Sequence, residues 1–325
     1  MKRYTLPQAG DLAVSRLAYG CLHLSRAWDA SPLCAAERRQ ARLLVETALA
    51  HGITLFDHAD IYAHGKSEAL FGELLRDAPQ LREQMVLQSK CGIRRAGDPT
   101  PGAPARYDFS HQHIVSAVDG ILARLHVDTI DILLLHRPDL LAEPQALADT
   151  FDALQASGKV RHFGVSNHTA GQIALLQRHL RQPLVVQQVE LSLLHHGLLD
   201  AGITANQVGH ADTQAAGLLD FCQLHGIRVQ AWSPLARGRL AAPAASAGPA
   251  VQATAQLLQQ MADEKGVTPE AVQLAWLLRH PAGIQPVVGT TDPARLAACC
   301  QADTVALSRE EWYALLTAAR GAPVP

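Results

Sequence analysis

The sequence predicts an α/β protein folded as one parallel (β/α)8 barrel, a TIM barrel, with an N-terminal β-hairpin and extra helices near the C-terminus. Three observations carry this prediction. Short apolar runs alternate with segments of helical period along nearly the whole chain. There are eight such runs, the number a closed barrel needs. The first is followed by "YGCLHLSRAW", which lacks the G-x-G-x-x-G turn that usually opens a doubly wound sheet. Barrels of this kind commonly reach about 250 residues or more, so residues 1–325 are read as a single domain.

In chain order, the first dozen residues read as a short hairpin plugging one end of the barrel. The strand-like runs are "SRLAYGC" (15–21), "ITLFD" (53–57), "MVLQSK" (85–90), "IDILLLH" (130–136), "VRHFGVS" (160–166), "PLVVQQV" (183–189), "IRVQAWS" (227–233) and "QPVVG" (285–289). Parallel strands are buried on both faces and read as continuous apolar runs, as "IDILLLH" does. The first helical segment, "CAAERRQARLLVETALAHG", sets Ala41, Leu44, Val45 and Ala48 on one face and stops at Gly52. "SEALFGELLRDAP" stops before Pro79, "SHQHIVSAVDGILARLHV" starts at a Ser110 cap, and "EPQALADTFDALQASG" ends at Gly158. "TAGQIALLQRHL", "TQAAGLLDFCQLHG", "TPEAVQLAWLLRH" and "DPARLAACCQ" complete the alternation. An extra helix follows the Ala/Gly/Pro-rich stretch after Arg237, and "SREEWYALLTAAR" forms a last one.

Bulk properties narrow the function. Hydrophobic residues make up 48% and charged ones 18%, enough for a sizeable core and too little charge for disorder. A formal net charge of -2 with scattered Lys and Arg speaks against nucleic acid. No signal-peptide pattern follows Met1, and no apolar run nears the roughly 18 residues of a membrane span. The expectation is a cytoplasmic protein. Six cysteines without C-x-x-C spacing read as reduced, mostly buried thiols. Sixteen histidines are many, yet "HQH" (111–113) and His195-His196 lack companion ligands at zinc spacing, so no metal is expected.

In such a barrel the C-terminal ends of all strands meet on one face. Here those ends are Asp57, Lys90, His136, Ser166-Asn167, Gln188 and Trp232-Ser233. Period-2 geometry sets Asp57 on the face of Ile53 and Leu55, and His136 on that of Ile132 and Leu134. Any one of them is explained by a buried ion pair or a backbone hydrogen bond. Four adjacent strands ending in ionisable or amide groups are a less ordinary coincidence.

The stretches "FDHADIY", "SKCG", "LLLLHRPD", "GVSN", "QVELS" and "AWSPLARGRL", in this order, resemble an aldo-keto reductase, of the bacterial type related to potassium-channel β-subunits. The resemblance runs from about residue 14 to the C-terminus. It implies a barrel that binds NADP(H) without a Rossmann fold and a catalytic tetrad of Asp57, Tyr62, Lys90 and His136. His58, Asp60 and His64 are then orienting or structural neighbours. The chemistry suits the residue types. A free tyrosine has a pKa near 10 and is a slow acid at neutral pH, and a neighbouring ammonium lowers it. Lys90 supplies that charge, Asp57 holds Lys90, and His136 donates to the carbonyl oxygen.

By the same resemblance Ser166, Asn167 and Gln188 bind the nicotinamide carboxamide, and Trp232 stacks on the ring. Ser233, Pro234, Leu235 and Arg237 line the diphosphate, with Arg239 a further candidate. Gly289, Thr290 and Thr291 open a helix whose N-terminus suits a phosphate, and Arg295 reads the 2'-phosphate of NADPH. Asp292 opposes that phosphate unless it turns outward as an N-cap ahead of Pro293. Ala298 and Cys299 replace an adenine-binding Glu-Asn pair. Substrate choice falls to the loops 92–110 and 192–212 and the C-terminal segment, with Trp28, Arg94, Arg95, Tyr107 and Phe109 at the mouth. The main expectation is an NADPH-dependent reductase of small aldehydes or ketones, a monomer or weak homo-oligomer. Its rivals are a cofactor-binding regulatory or redox-sensing subunit with little turnover, and an alcohol dehydrogenase working mainly in oxidation.

Overall fold

The structure is a computed structural model and describes residues 1–29, 31–204 and 217–325. Strands β1 (Arg3–Thr5) and β2 (Ala13–Ser15) pair antiparallel as the expected hairpin. Then follow β3 (Ala18–Gly20), β4 (Leu55–Asp57), β5 (Val86–Cys91), a small antiparallel pair β6 (Ile93–Arg94) and β7 (Arg106–Tyr107), β8 (Ile130–Leu135), β9 (Val160–Ser166), β10 (Leu184–Glu190), β11 (Arg228–Trp232) and β12 (Gln285–Val288). Eight of them, all but β1, β2, β6 and β7, form a closed barrel, with β12 returning in parallel onto β3. Each of the eight predicted runs supplies one barrel strand. The β6–β7 pair was not foreseen, because two-residue strands carry no readable period.

The barrel interior is stratified. Leu55, Val86, Ile132, Leu134, Val186 and Val287 share one buried cluster with Leu6, Ala9 and Val14 of the hairpin region. The hairpin is therefore a plug for one end. Ile53 departs from expectation. It precedes β4 and packs with the outer layer of helix-facing residues instead of the interior. Toward the other end the interior turns polar. Register sets Asp57 beside Gln88, and Gln188 beside Gln230, which is itself beside Gln285.

The surrounding helices follow their local signals. Ser110 caps the helix His111–Leu125 by accepting from the His113 amide. Gly158 takes φ 74° just past the helix Pro144–Ala156, where a side chain would strain the turn. Gly72, in the helix Lys66–Asp77, allows that helix to seat against His111–Leu125, since a Cβ there would fall 1.9 Å from the Arg124 carbonyl oxygen. The predicted segment "TQAAGLLDFCQLHG" gives the helix Leu218–Leu224, its first four residues lying outside the described ones. Loop 192–212 likewise falls partly outside them. Helices Pro249–Lys265 and Arg309–Arg320 are the two extra helices. Among the described residues no helix is long and apolar enough to cross a membrane.

Candidate active site

Because all eight barrel strands run parallel, the ends of β4, β5, β9 and β11 open on one face. A cavity of about 780 Å³ lies there. Its wall contains Asp57, Tyr62 and His136 of the predicted tetrad, and all the predicted cofactor contacts except the further candidate Arg239. Lys90 is fully buried beneath it, and its ammonium donates to Asp57 Oδ2 at 2.7 Å, to the His58 carbonyl at 2.8 Å and to Tyr62 Oη at 3.0 Å. All three of its protons are engaged. Burial opposes the Lys90 charge, but Asp57 and Tyr62 outweigh burial and raise its pKa. Lys90 is a cation at any neutral pH.

Tyr62 corrects one expectation. Burial pushes its pKa up, the Lys90 ammonium pulls it down, and the Asp57 carboxylate adds to the rise, so the net shift is upward. Burial is the largest of these effects and outweighs the ammonium, whose pull Asp57 partly offsets. His136 follows β8, with its ring 6.0 Å from that of Tyr62 and nearly perpendicular to it. Burial first, then Lys90 and Arg137, hold its pKa well below the usual value. It is a neutral imidazole. Its Nδ1 is buried with no partner.

The remaining polar strand ends interlock beside this group. Asn167 takes φ 60° and donates from Nδ2 to Ser166 Oγ at 2.7 Å, while its Oδ1 accepts from Trp232 Nε1 at 3.1 Å. The Asn167 amide donates to the Gln188 carbonyl at 2.9 Å. Non-glycine residues with positive φ recur in the next wall, at Ser233 (52°), Ala236 (49°) and Arg237 (56°). Such backbone is costly and concentrates at ligand sites. Arg237 lines the cavity, whereas Arg239 does not.

At the far end, Gly289, Thr290 and Thr291 lead into the helix Pro293–Cys300. Asp292 caps it by accepting from the amides of Ala294 (2.9 Å) and Arg295 (3.3 Å), the capping role foreseen for it, but it also lines the cavity and so does not turn away from it. Arg295 lies in the wall with its side chain about half exposed, and its Nε is 3.7 Å from Glu270 Oε1. The sequence reading missed that carboxylate. It also missed Arg26, which donates to Thr291 Oγ1 at 3.0 Å and adds a second cation. Both come from elements remote in sequence and leave no local signal.

Other expectations fail at the mouth. None of Trp28, Arg94, Arg95, Tyr107 and Phe109 lines the cavity. Arg94 and Arg95 border a separate cleft of about 410 Å³ with Asp60 and His64. Phe109 is buried against His168, and Trp28 meets His64 edge-on at 6.3 Å. The β6–β7 pair joins the two ends of this loop, Ile93 to Tyr107 and Arg94 to Arg106. His58 is a structural neighbour, buried against Phe71, with its pKa lowered to about 3 by burial and then by Lys90. Burial, with Glu68, raises Asp60 to about 7.

Comparisons with known proteins agree with this architecture. The aldo/keto reductase family model matches residues 16–319. The chain is 39% identical over 320 residues to a 6-dehydroglucose reductase of Novosphingobium aromaticivorans, covering 97% of this chain and 94% of that protein. It is 36% identical to a 6-dehydroglucose reductase of Agrobacterium fabrum, covering 100% of both. A crystal structure of an aldo-keto reductase from Klebsiella pneumoniae in complex with NADPH superposes with a TM-score of 0.74 at 26% identity, covering 100% of this chain and 97% of that one. The chain belongs to the aldo/keto reductase family of oxidoreductases.

Proposed function

We propose that the chain reduces an aldehyde or ketone with NADPH, Tyr62 giving the proton. The observation that carries this reading is the Lys90 ammonium, held between Asp57 and Tyr62 under the cavity floor. The cavity also suits the cofactor. Its long wall runs from Tyr62 and His136 to Thr290 and Thr291, with four arginines, Arg26, Arg137, Arg237 and Arg295, along it. A Cβ added at Gly289 would have no neighbour closer than 3.9 Å, so the cradle there is open.

When bound, NADPH supplies a hydride for the carbonyl carbon. The chain's own residues do the rest. Tyr62, its pKa raised, stays protonated in the resting site and gives its proton as the carbonyl oxygen gains charge. Lys90 then stabilises the tyrosinate through the bond it already makes. Neutral His136 donates one N–H to the same oxygen. Ser166, Asn167 and Gln188 hold the carboxamide beside Trp232. Gln188 does so as an acceptor, because both protons of its Nε2 already go to Asp57 and Gln230. Ser233, Pro234, Leu235 and Arg237 hold the diphosphate. Gly289, Thr290, Thr291 and Arg295 hold the adenosine end, with Arg26 beside them.

The relatives named 6-dehydroglucose reductase make an oxidised hexose the first carbonyl to try. The test is NADPH consumption against a panel of aldehydes and ketones that includes 6-dehydroglucose. Saturable turnover with at least one carbonyl is expected. Tight NADPH binding with no turnover on any of them would favour a regulatory subunit.

A further inference from the structure

Between the apolar plug and the cavity floor lies a layer of four fully or almost fully buried glutamines, Gln88, Gln188, Gln230 and Gln285. Their amides form one connected network, with Gln88 and Gln230 paired reciprocally at its centre. Gln88 Nε2 donates to Asp57 Oδ1 (2.6 Å) and Gln230 Oε1 (2.8 Å), and Gln188 Nε2 donates to the same two atoms (3.1 and 2.9 Å). Gln230 Nε2 donates to Gln88 Oε1 (3.1 Å) and Gln285 Oε1 (2.9 Å). Gln285 Nε2 ends the network on the Ser15 carbonyl, 2.6 Å away at the end of β2.

We propose that Gln88 and Gln230 are positioning residues of the carbonyl chemistry, fixing Asp57, and through it Lys90 and Tyr62, from beneath. This rests on the reading of Tyr62 and Lys90 just given. The physical ground is the polarity of the network. Both amide protons of Gln88, of Gln188 and of Gln230 are used, so none of these groups can flip without turning an oxygen toward an acceptor. At the Asp57 end that acceptor is a carboxylate, which fixes the orientation of the Gln88 and Gln188 amides. Asp57 is thus gripped on Oδ1 by two amides and on Oδ2 by Lys90. Without the amides the carboxylate is free to turn about its last bond and leave Lys90. If the glutamines served only to satisfy one another, the network need not end on a charge.

The site's apolar neighbours below do not supply this restraint, because hydrophobic contact has no direction. A buried polar layer that is completely satisfied specifies orientation instead. The apolar, similarly sized variants Gln88→Met, Gln230→Met and Gln285→Met separate the two effects. Three readouts are taken: kcat and KM at saturating NADPH, NADPH affinity by fluorescence, and the Lys90 titration by 13Cε shift. We expect kcat to fall about 30-fold in Gln88→Met and about 10-fold in Gln230→Met, with less than a roughly threefold loss in Gln285→Met. NADPH affinity changes less than about twofold in all three. Asp57 raises the Lys90 pKa, so loosening it should move the Lys90 titration, and the alkaline limb of kcat, to lower pH in Gln88→Met. If Gln88→Met does not fold, Gln230→Met gives the same readouts. Unchanged kcat and Lys90 titration in the folded variants, with only the melting temperature lowered, would overturn the proposal. So would a loss in Gln285→Met as large as in Gln88→Met. A Tyr62→Phe enzyme run alongside distinguishes failure of the underlying reading, because wild-type turnover there removes Tyr62 as the acid while leaving the Lys90 titration to judge the glutamines.

Discussion

The two ends of the cavity are built on opposite principles. At the Tyr62 end the charges are buried and answered inside the barrel: Lys90 is 0% exposed and each of its protons has a partner. At the Arg295 end the cation has a side chain 54% exposed, and its nearest carboxylate, Glu270, is 3.7 Å away. The first arrangement is stiff and costly to disturb. The second is adjustable, since solvent can replace any contact made there. Chemistry that depends on proton position suits the first, and cofactor discrimination, which needs only a net preference, can be tuned at the second.

The largest difference should come from removing one cation at each end. Lys90→Met leaves Asp57 buried without its charge partner, which should cost about 3–5 kcal/mol of folding stability, together with nearly all turnover. Arg295→Ala should cost less than about 1 kcal/mol, because an exposed pair contributes little. Urea unfolding of the two variants checks both values. Equal losses would erase the contrast.

Acid should reveal the buried end next. Burial, then Lys90, lowers His58 to about 3, and burial, opposed by the Ser166 carbonyl, lowers His168 to about 4. The unfolded chain binds a proton on each near pH 6.5, while the folded chain does not. Stability is therefore complete above pH 6.5 and falls on acidification, by roughly 1.4 kcal/mol per pH unit for each histidine, until the folded values are reached. At pH 5 this amounts to about 2 kcal/mol apiece. His58→Phe, which keeps a ring against Phe71 and removes two unpartnered nitrogens, should flatten that slope. Unfolding measured at several pH values from 7 to 5 gives the comparison, and an unchanged slope would exclude His58 from it.

A smaller effect is expected at the open end. Arg295→Ala should lower kcat/KM for NADPH about tenfold and leave NADH nearly unchanged, since a charge-assisted contact is lost only with the 2'-phosphate. Glu270→Gln should do the reverse, freeing Arg295 and strengthening the NADPH preference. If Arg295→Ala keeps the preference, Arg26 is the residue to remove next.

The same contrast explains what could be read from the sequence. The barrel was legible because its strands are buried on both faces, so "IDILLLH" stands out as a continuous run. Asp57, Lys90 and His136 were legible because polar residues ending such runs have one place to go. Ser110, Gly158 and Asp292 announced themselves as caps. Glu270 and Arg26 did not, because they reach the cavity from distant segments with ordinary local patterns. The mouth residues were misassigned because their partners are remote in sequence: Trp28 meets His64, and Phe109 stacks on His168. The glutamine layer did leave a signal: Gln88, Gln188, Gln230 and Gln285 each fall within or at the start of a predicted strand. The upward shift of Tyr62 could not be read at all, since it depends first on how deeply the phenol is buried and then on the balance of Lys90 and Asp57 around it.

The central claim is that Tyr62 gives the proton in carbonyl reduction. Single-turnover reduction of a carbonyl by Tyr62→Phe, with NADPH affinity measured on the same sample, tests it most directly. The account predicts NADPH binding close to wild type and a chemical step slowed by about 10²-fold or more, the range a positioned general acid supplies. A Tyr62→Phe enzyme that reduces the carbonyl at the wild-type rate would contradict it and move the proton to another group, His136 first.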